Sequence, residues 1–266
     1  MVGSGGLEKS MKNEEYRANP ASLSGRAAIV TGGSRGIGEA TAELLLERGA
    51  HVFICARTAS EVASTVARLR ERFGAASIHG KAIDLENADS ISALFDEAEQ
   101  TLGDKIRILV NNAAIGYAIP FLETSAAVLT KEWDRMQAIN IRAPLLLSHE
   151  LMRRIPRGEK TGAIVNLGSL GGIRGTDKFP GLAAYVATKF AIAGLTEALA
   201  VEGRSIGVRV NAVAPGAVDT EMLRKAAPHL KTETRPADVA KVIAYLCDSA
   251  ESGSVTGTII EIHSNL

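Results

Sequence analysis

Tyr185 and Lys189 stand four residues apart in the stretch YVATK, just ahead of the helix-patterned run FAIAGLTEALAVEG. On a helix that spacing places both side chains on one face. A free tyrosine titrates at about pH 10, too high for easy proton exchange near neutrality. A neighbouring ammonium favours the phenolate and lowers that value, which would make Tyr185 a general acid–base. Ser169 ends the apolar run GAIVNLGS, and its hydroxyl is of the type that donates to an oxygen gaining negative charge. Taken singly, each has a plainer reading. A Tyr-x-x-x-Lys pair is usually amphipathic surface, and a serine after a strand is usually a turn residue.

A second group of residues suits phosphate. TGGSRGIG spans Thr31–Gly38, between an apolar run and a helical one. Glycines in such a loop permit a tight turn and let backbone amides approach a pyrophosphate at the positive end of the helix dipole. Gly32, Ser34, Arg35, Gly36, Ile37 and Gly38 are therefore the candidate cradle for a dinucleotide. In dinucleotide folds an acid often ends the second strand and binds the adenosine ribose. Here that end reads FICART, with Ala56 where the acid would stand and Arg57 next. Arg35 and Arg57 together could hold a 2′-phosphate by charge-assisted forks. With no carboxylate to repel that phosphate, NADP(H) is expected over NAD(H).

The elements that must position these groups alternate. RAAIVT, HVFICA, SIHGKAIDL, IRILVNNA, GAIVNLGS, VRVNAVAPG and GTIIEI read as strands. Between them lie amphipathic runs such as GEATAELLLERG, SEVASTVARLRERFG and DSISALFDEAEQTLG, a long helical stretch, a helix from about Ala183, and ADVAKVIAYLCDS. Strands alternating with helices imply right-handed βαβ units, and near-continuous apolar strands imply a sheet covered on both faces. The expectation is a single-domain α/β fold of the Rossmann type: a doubly wound parallel sheet of about seven strands spanning residues 23–266, with residues 1–22 a flexible N-terminal extension.

TGGSRGIG, NNAA (Asn111–Ala114), Gly168–Ser169, YVATK and NAVAPGAVDT (Asn211–Thr220) occur in one order. Together they resemble the short-chain dehydrogenase/reductase family over roughly residues 24–262. The resemblance implies an NADP(H)-dependent carbonyl reductase acting on a ketone or β-ketoacyl-type substrate. It implies Tyr185 as the catalytic tyrosine, Lys189 as its partner and a holder of the nicotinamide ribose, and Ser169 as the group that orients the substrate carbonyl. Asn140, in MQAINIRAP, matches the asparagine that helps hold a proton-relay water. Asp84 matches the residue near the adenine ring, and Asn112 and Ala113 line the adenosine side. Pro215, Gly216, Val218 and Thr220 match the loop beside the nicotinamide carboxamide and phosphates. A homo-oligomer, tetramer or dimer, is implied too, although the tail EIHSNL lacks the two glycines that often follow the last strand. Two alternatives stay open: an alcohol dehydrogenase working in the oxidising direction, and a dinucleotide-binding sensor without catalysis.

Two stretches bear on the substrate. LGGIRGTDKFPGLAA, between Ser169 and Tyr185, is longer than is common in the family and is expected to wall the pocket. EMLRKAAPHLKTETRPADVA, after Thr220, is short for a substrate lid, which suggests an open pocket or a bulky substrate. Its Arg224, Lys225 and Lys231 either attract an acidic substrate or form a solvated face.

The chain has 266 residues, with 30 Lys+Arg against 30 Asp+Glu. Zero net charge offers no field for nucleic acid or an anionic membrane. No apolar run reaches the roughly 18 residues of a membrane span, and the charged N-terminus is not a secretory signal. Cys55 and Cys247 sit in apolar runs without disulfide or zinc spacing, and His51, His79, His149, His229 and His263 show no metal-ligand spacing. No metal is expected, the partner is a small-molecule carbonyl or alcohol, and the expected compartment is the cytoplasm.

Overall fold

Leu23 is fully buried, and its N–H donates to the Arg48 carbonyl at 2.9 Å. The computed structural model describes residues 21–156, 158, 162–227 and 229–264. The expected N-terminal extension lies outside them except for its last two positions.

Seven strands are described: β1 (Ala27–Thr31), β2 (His51–Ala56), β3 (Ile78–Ala82), β4 (Ile106–Asn111), β5 (Gly162–Leu167), β6 (Val208–Pro215) and β7 (Ile259–Ile262). They form one sheet in the order β3-β2-β1-β4-β5-β6-β7, and every pairing is parallel. The connecting helices are α1 (Gly36–Glu47), α2 (Ala59–Phe73), α3 (Asp89–Leu102), α4 (Ala126–Gln137), α5 (Ala143–Arg154), α6 (Ala183–Gly203), α7 (Glu221–Ala226), α8 (Pro236–Cys247) and α9 (Ser249–Ser252). This is the doubly wound arrangement that the alternation of runs implies.

The central strands are buried because both faces of the sheet are covered there, whereas the edge strands β3 and β7 carry exposed residues such as Lys81 and Glu261. Every residue of β1 and of β6 is buried. Ala28 and Val30 of β1 join Leu45, Val66 and Ile243, from α1, α2 and α8, on one face. Ala27 and Ile29 join Phe95, Leu147 and Ala200, from α3, α5 and α6, on the other. Alternate side chains of a single strand thus feed two cores, the period-two rule at work.

The chain leaves β1 toward β2 on one side and returns as β4 on the other. That reversal opens a crevice beyond the carboxyl ends of the central strands, where α/β sheets bind ligands. Beneath it a buried polar ladder fixes the strand ends. Asn111 Nδ2 donates to Asn166 Oδ1 at 2.8 Å, and Asn166 Nδ2 donates to Thr196 Oγ1 at 2.9 Å, joining β4, β5 and α6.

The long helical stretch is not one α-helix. A π-helical turn, Ala138–Arg142, links α4 to α5. Pro144 opens α5. Having no N–H, it cannot close the α-type bond to the carbonyl of Asn140 four residues earlier. A single wide turn at this point follows, and such turns recur at functional sites.

The expectation that no run could span a membrane needs one amendment. Ala183–Ile206 is long and apolar enough by length and composition. Its buried stripe of Thr188, Lys189, Ile192, Thr196 and Ala200 shows it to be a layer of this domain, packed on β6 and the π turn.

Candidate active site

A cleft of about 1460 Å³ lies over the carboxyl ends of the strands. That exceeds the ~300–1,000 Å³ usual for a single small ligand and leaves room for a dinucleotide with a substrate beside it. Each of Gly32, Ser34, Arg35, Gly36 and Ile37 lines it, and Gly38 is buried just inside. Arg35 leads into α1 but no side chain caps that helix, so its first N–H groups are left to a ligand. Gly36 takes φ +58, a conformation that side chains rarely adopt, at the point where the loop turns into α1. An uncapped helix start, a glycine turn and two nearby guanidiniums fit the pyrophosphate and 2′-phosphate of a dinucleotide.

Asn112 and Ala113 line the cleft, but the Asn112 side chain is held by the loop itself. Its Nδ2 donates to the carbonyls of Thr31 at 2.8 Å and Gly32 at 3.1 Å. Thr31 Oγ1 accepts from the N–H groups of Asn112 and Ala113, both at 3.0 Å. Asn112 therefore braces the cradle against the end of β4. Asp84 also lines the cleft, with an exposed side chain whose Oδ1 accepts from Glu86 N at 3.0 Å. Arg57 is exposed at the same end.

The sequence offers no carboxylate at the end of β2, yet the fold brings one there. Glu61, in the first turn of α2, accepts from Ser34 Oγ at 3.2 Å and lies 3.3 Å from an Arg35 guanidinium nitrogen. The same nitrogen lies 2.9 Å from Glu221, the first residue of α7. The expectation of an unopposed two-arginine site is corrected accordingly. The missed signal was an acid in the opening turn of the helix that follows Arg57, a position favoured by the helix dipole.

At the inner end of the cleft Tyr185, Ser169 and Lys189 meet. The Ser169 hydroxyl lies near enough to the Tyr185 phenol to act on its acidity, and its Oγ accepts from Gly171 N at 3.1 Å. Lys189 is buried, its Nζ 5.6 Å from the centroid of the Tyr185 ring. The ammonium donates to the Leu167 carbonyl at 2.7 Å. Burial pushes the lysine down from 10.5 to about 8. The tyrosine moves opposite to expectation: burial raises it, with the neighbouring Ser169 hydroxyl pulling the other way. A four-residue spacing shows which face a lysine shares, but not where its flexible stem ends. Here the stem ends on the backbone of β5.

Asn140 is buried in the π turn. Its Oδ1 accepts from Ile115 N at 2.9 Å, and its Nδ2 donates to Ile115 O at 2.8 Å and to Thr188 Oγ1 at 3.1 Å. Thr188 Oγ1 in turn donates to the Tyr185 carbonyl at 2.7 Å. The side chain is thus fully engaged, and its backbone carbonyl cannot take the α-type bond from residue 144, because Pro144 has no N–H. Next to Ile115, Gly116 touches the Tyr185 ring. A Cβ built there would lie 2.6 Å from two ring carbons. Gly116 and Thr188 carry no signal that sequence reasoning isolates, because their importance lies in contacts across elements.

Pro215, Gly216, Val218 and Thr220 line the cleft, with Thr220 beside the cradle glycine Gly36. Gly216 N donates to Ile262 O at 2.9 Å, and Thr220 Oγ1 caps α7 by accepting from Leu223 N at 3.2 Å. Leu170, Thr176 and Phe179 form the expected wall, and α7 with His229 and Leu230 forms a short lid. Arg224 pairs with Asp219 and Lys225 with Glu221, which favours the solvated-face reading of those two cations.

Fold and site together define a nicotinamide-dinucleotide oxidoreductase. The short chain dehydrogenase family model matches residues 26–231, and the chain belongs to that family. It is 31% identical to the 3-oxoacyl-[acyl-carrier-protein] reductase FabG of Aquifex aeolicus over 254 residues, 92% of this chain and 98% of that one. It is 35% identical to the short-chain dehydrogenase/reductase FrzI of a Cladobotryum species, covering 93% of this chain and 98% of that one. Among solved structures, a dehydrogenase/reductase from Sinorhizobium meliloti superposes with a TM-score of 0.81 at 32% identity, covering 92% and 96% of the two chains. A short chain dehydrogenase from Burkholderia cenocepacia, in complex with NADP, superposes with a TM-score of 0.79 at 31% identity, covering 91% and 97%.

Proposed function

We propose that this chain is an NADPH-dependent carbonyl reductase that converts a ketone or β-ketoacyl-type carbonyl to the alcohol. The observation that carries the reading is the meeting of Tyr185, Ser169 and Lys189 at the inner end of a cleft whose other end is an uncapped helix start flanked by Arg35 and Arg57. The dinucleotide, when bound, supplies the hydride. Arg35, Arg57 and the amides of Gly36–Gly38 hold its phosphates. Asp84, Asn112 and Ala113 border the adenosine, and Pro215, Gly216, Val218 and Thr220 border the nicotinamide half. Ser169 donates to the substrate oxygen and orients it.

Tyr185 gives its proton to that oxygen as alkoxide character develops. A phenol raised by burial stays protonated throughout the neutral range, which suits a general acid. Lys189 and a water on the Asn140 carbonyl return a proton to Tyr185. The similarity to a 3-oxoacyl-[acyl-carrier-protein] reductase and to an NADP-bound dehydrogenase supports the choice of substrate class and cofactor. Two buried thiols suit a reducing compartment such as the cytoplasm.

Loss of NADPH absorbance against a panel of ketones and β-ketoacyl thioesters tests the reading. Tyr185→Phe is expected to lower kcat by about 10²–10⁴-fold while dinucleotide binding persists. Undiminished turnover by that variant would remove Tyr185 from the chemistry. If no carbonyl is reduced although NADPH binds tightly, either the substrate lies outside the panel or the chain is a sensor, and the effect of Tyr185→Phe in cells separates the two.

A further inference from the structure

The end of the cleft that faces α2 holds a contest between charges. Ser34, Arg35, Arg57, Thr58 and Glu61 line it. Glu61 uses both carboxylate oxygens there, Oε2 accepting from Ser34 and Oε1 from Arg35. These are a hydroxyl and a guanidinium suited to a phosphate monoester. Such a phosphate carries a charge of about −1.5 to −2 near neutrality. It cannot share those donors with a carboxylate without like-charge repulsion. A ribose bearing a free 2′-hydroxyl meets the opposite situation, because a hydroxyl donates to a carboxylate, the contact by which acids select the unphosphorylated cofactor.

We infer that Glu61 is a specificity-determining residue that competes with the cofactor's 2′-phosphate for Ser34 and Arg35, and so narrows the preference of this site for NADP(H) over NAD(H). The inference rests on the NADP(H) reading given above. Arg57, with no carboxylate partner described, and Arg35 pull toward the phosphorylated cofactor; Glu61 pulls against them. Glu221 also draws on Arg35 from α7, but its carboxylate is shared with Lys225. Glu221 lies the nearer to Arg35, at 2.9 Å, but Glu61 also accepts from Ser34 and so meets the phosphate site at two of its groups. Both partners are substantially exposed, with side chains 57% and 38% accessible, so solvent screens the effect. The expected change is accordingly modest.

Binding of NADPH and of NADH to the full chain, each titrated by isothermal calorimetry, provides the test. In Glu61→Gln, NADPH affinity is expected to rise about 1.5- to fivefold, the range of a screened charge contact, while NADH affinity stays level or falls. The ratio of the two affinities is the readout, because a merely structural role would move both together. Glu61→Ala should shift the ratio in the same sense and guards against a misfolded single variant. An unchanged or reduced ratio in both variants overturns the inference. Arg57→Ala, measured alongside, separates the two levels of failure. If it weakens NADPH selectively while the Glu61 variants leave the ratio unchanged, the cofactor reading stands and the role of Glu61 falls. If it leaves NADPH binding untouched, the two-arginine reading falls and the inference with it.

Discussion

Lys189 holds a buried ammonium whose hydrogen-bond acceptor is the Leu167 carbonyl. Its folded pKa of about 8 lies below the ordinary 10.5. Between those values the unfolded chain binds more protons than the folded one, so this group makes stability rise with pH. Cys55 and Cys247 act in the other sense. Burial pushes each thiol from 9.0 to about 12, so above about pH 9 the folded chain holds the extra protons and stability falls. The melting temperature of the protein without cofactor is expected to climb from pH 8 to 9 and to decline beyond. Lys189→Met should erase the climb and leave the decline; a scan of Tm against pH in both proteins checks this. At this scale the sequence showed which side chains gather but not what each one touches. Tyr185, Ser169 and Lys189 were legible because their types and order were distinctive. The upward shift of Tyr185 and the arrival of Glu61 were not, because both depend on where long side chains end after elements far apart in sequence have packed.

Elements interlock around the tyrosine. The segment after β4 is clamped by Asn140 from the π turn, and Gly116 within it lies flat against the Tyr185 ring at the start of α6. A methyl group at this contact has nowhere to go unless the segment or the ring moves. Gly116→Ala is expected to cost about 1–3 kcal/mol in stability, the usual range for overpacking. It should lower kcat more than it raises KM for the dinucleotide, since the cradle lies on other elements. Denaturant unfolding with steady-state kinetics would show the split, and an unaltered kcat would mean that the ring needs no such seat. The strands themselves were readable from their short apolar runs, and α1, α2 and α6 from glycine stops and helical spacing. The break between α4 and α5 was not. A proline in an apolar, helical stretch signals a local disturbance, but not that the disturbance is a wide turn carrying Asn140.

Across the whole molecule, exposed large apolar side chains recur on the helices α4, α5 and α6. Phe190 and Val201 of α6 are 41% and 60% exposed, and Val128 of α4 and Leu145 of α5 are 50% and 43% exposed. Only 28% of the apolar window of Ala183–Ile206 is buried within the chain. Apolar area of this extent is characteristic of an interaction surface, and a second copy of the chain, presenting the same helices, is the occupant proposed here. Light scattering after size exclusion should find a dimer or tetramer. Val201→Asp, some 16 residues along α6 from Tyr185 and so about 24 Å away, should shift the population toward monomer; a monomeric native chain would refute the assignment. Doubly wound architecture was legible because seven apolar runs alternate with amphipathic ones. This uncovered face was less so, because a helix buried by its own domain and one buried by a neighbour carry the same apolar residues.

One helix, α6, bears both Tyr185, the proposed proton donor, at its first turn and the uncovered apolar face along its length. Association and chemistry would then share a single rigid rod. Its partner would damp the motion of the rod that holds Tyr185 and Lys189 in place. Activity per molecule should therefore depend on concentration, falling on dilution below the dissociation constant and returning on reconcentration.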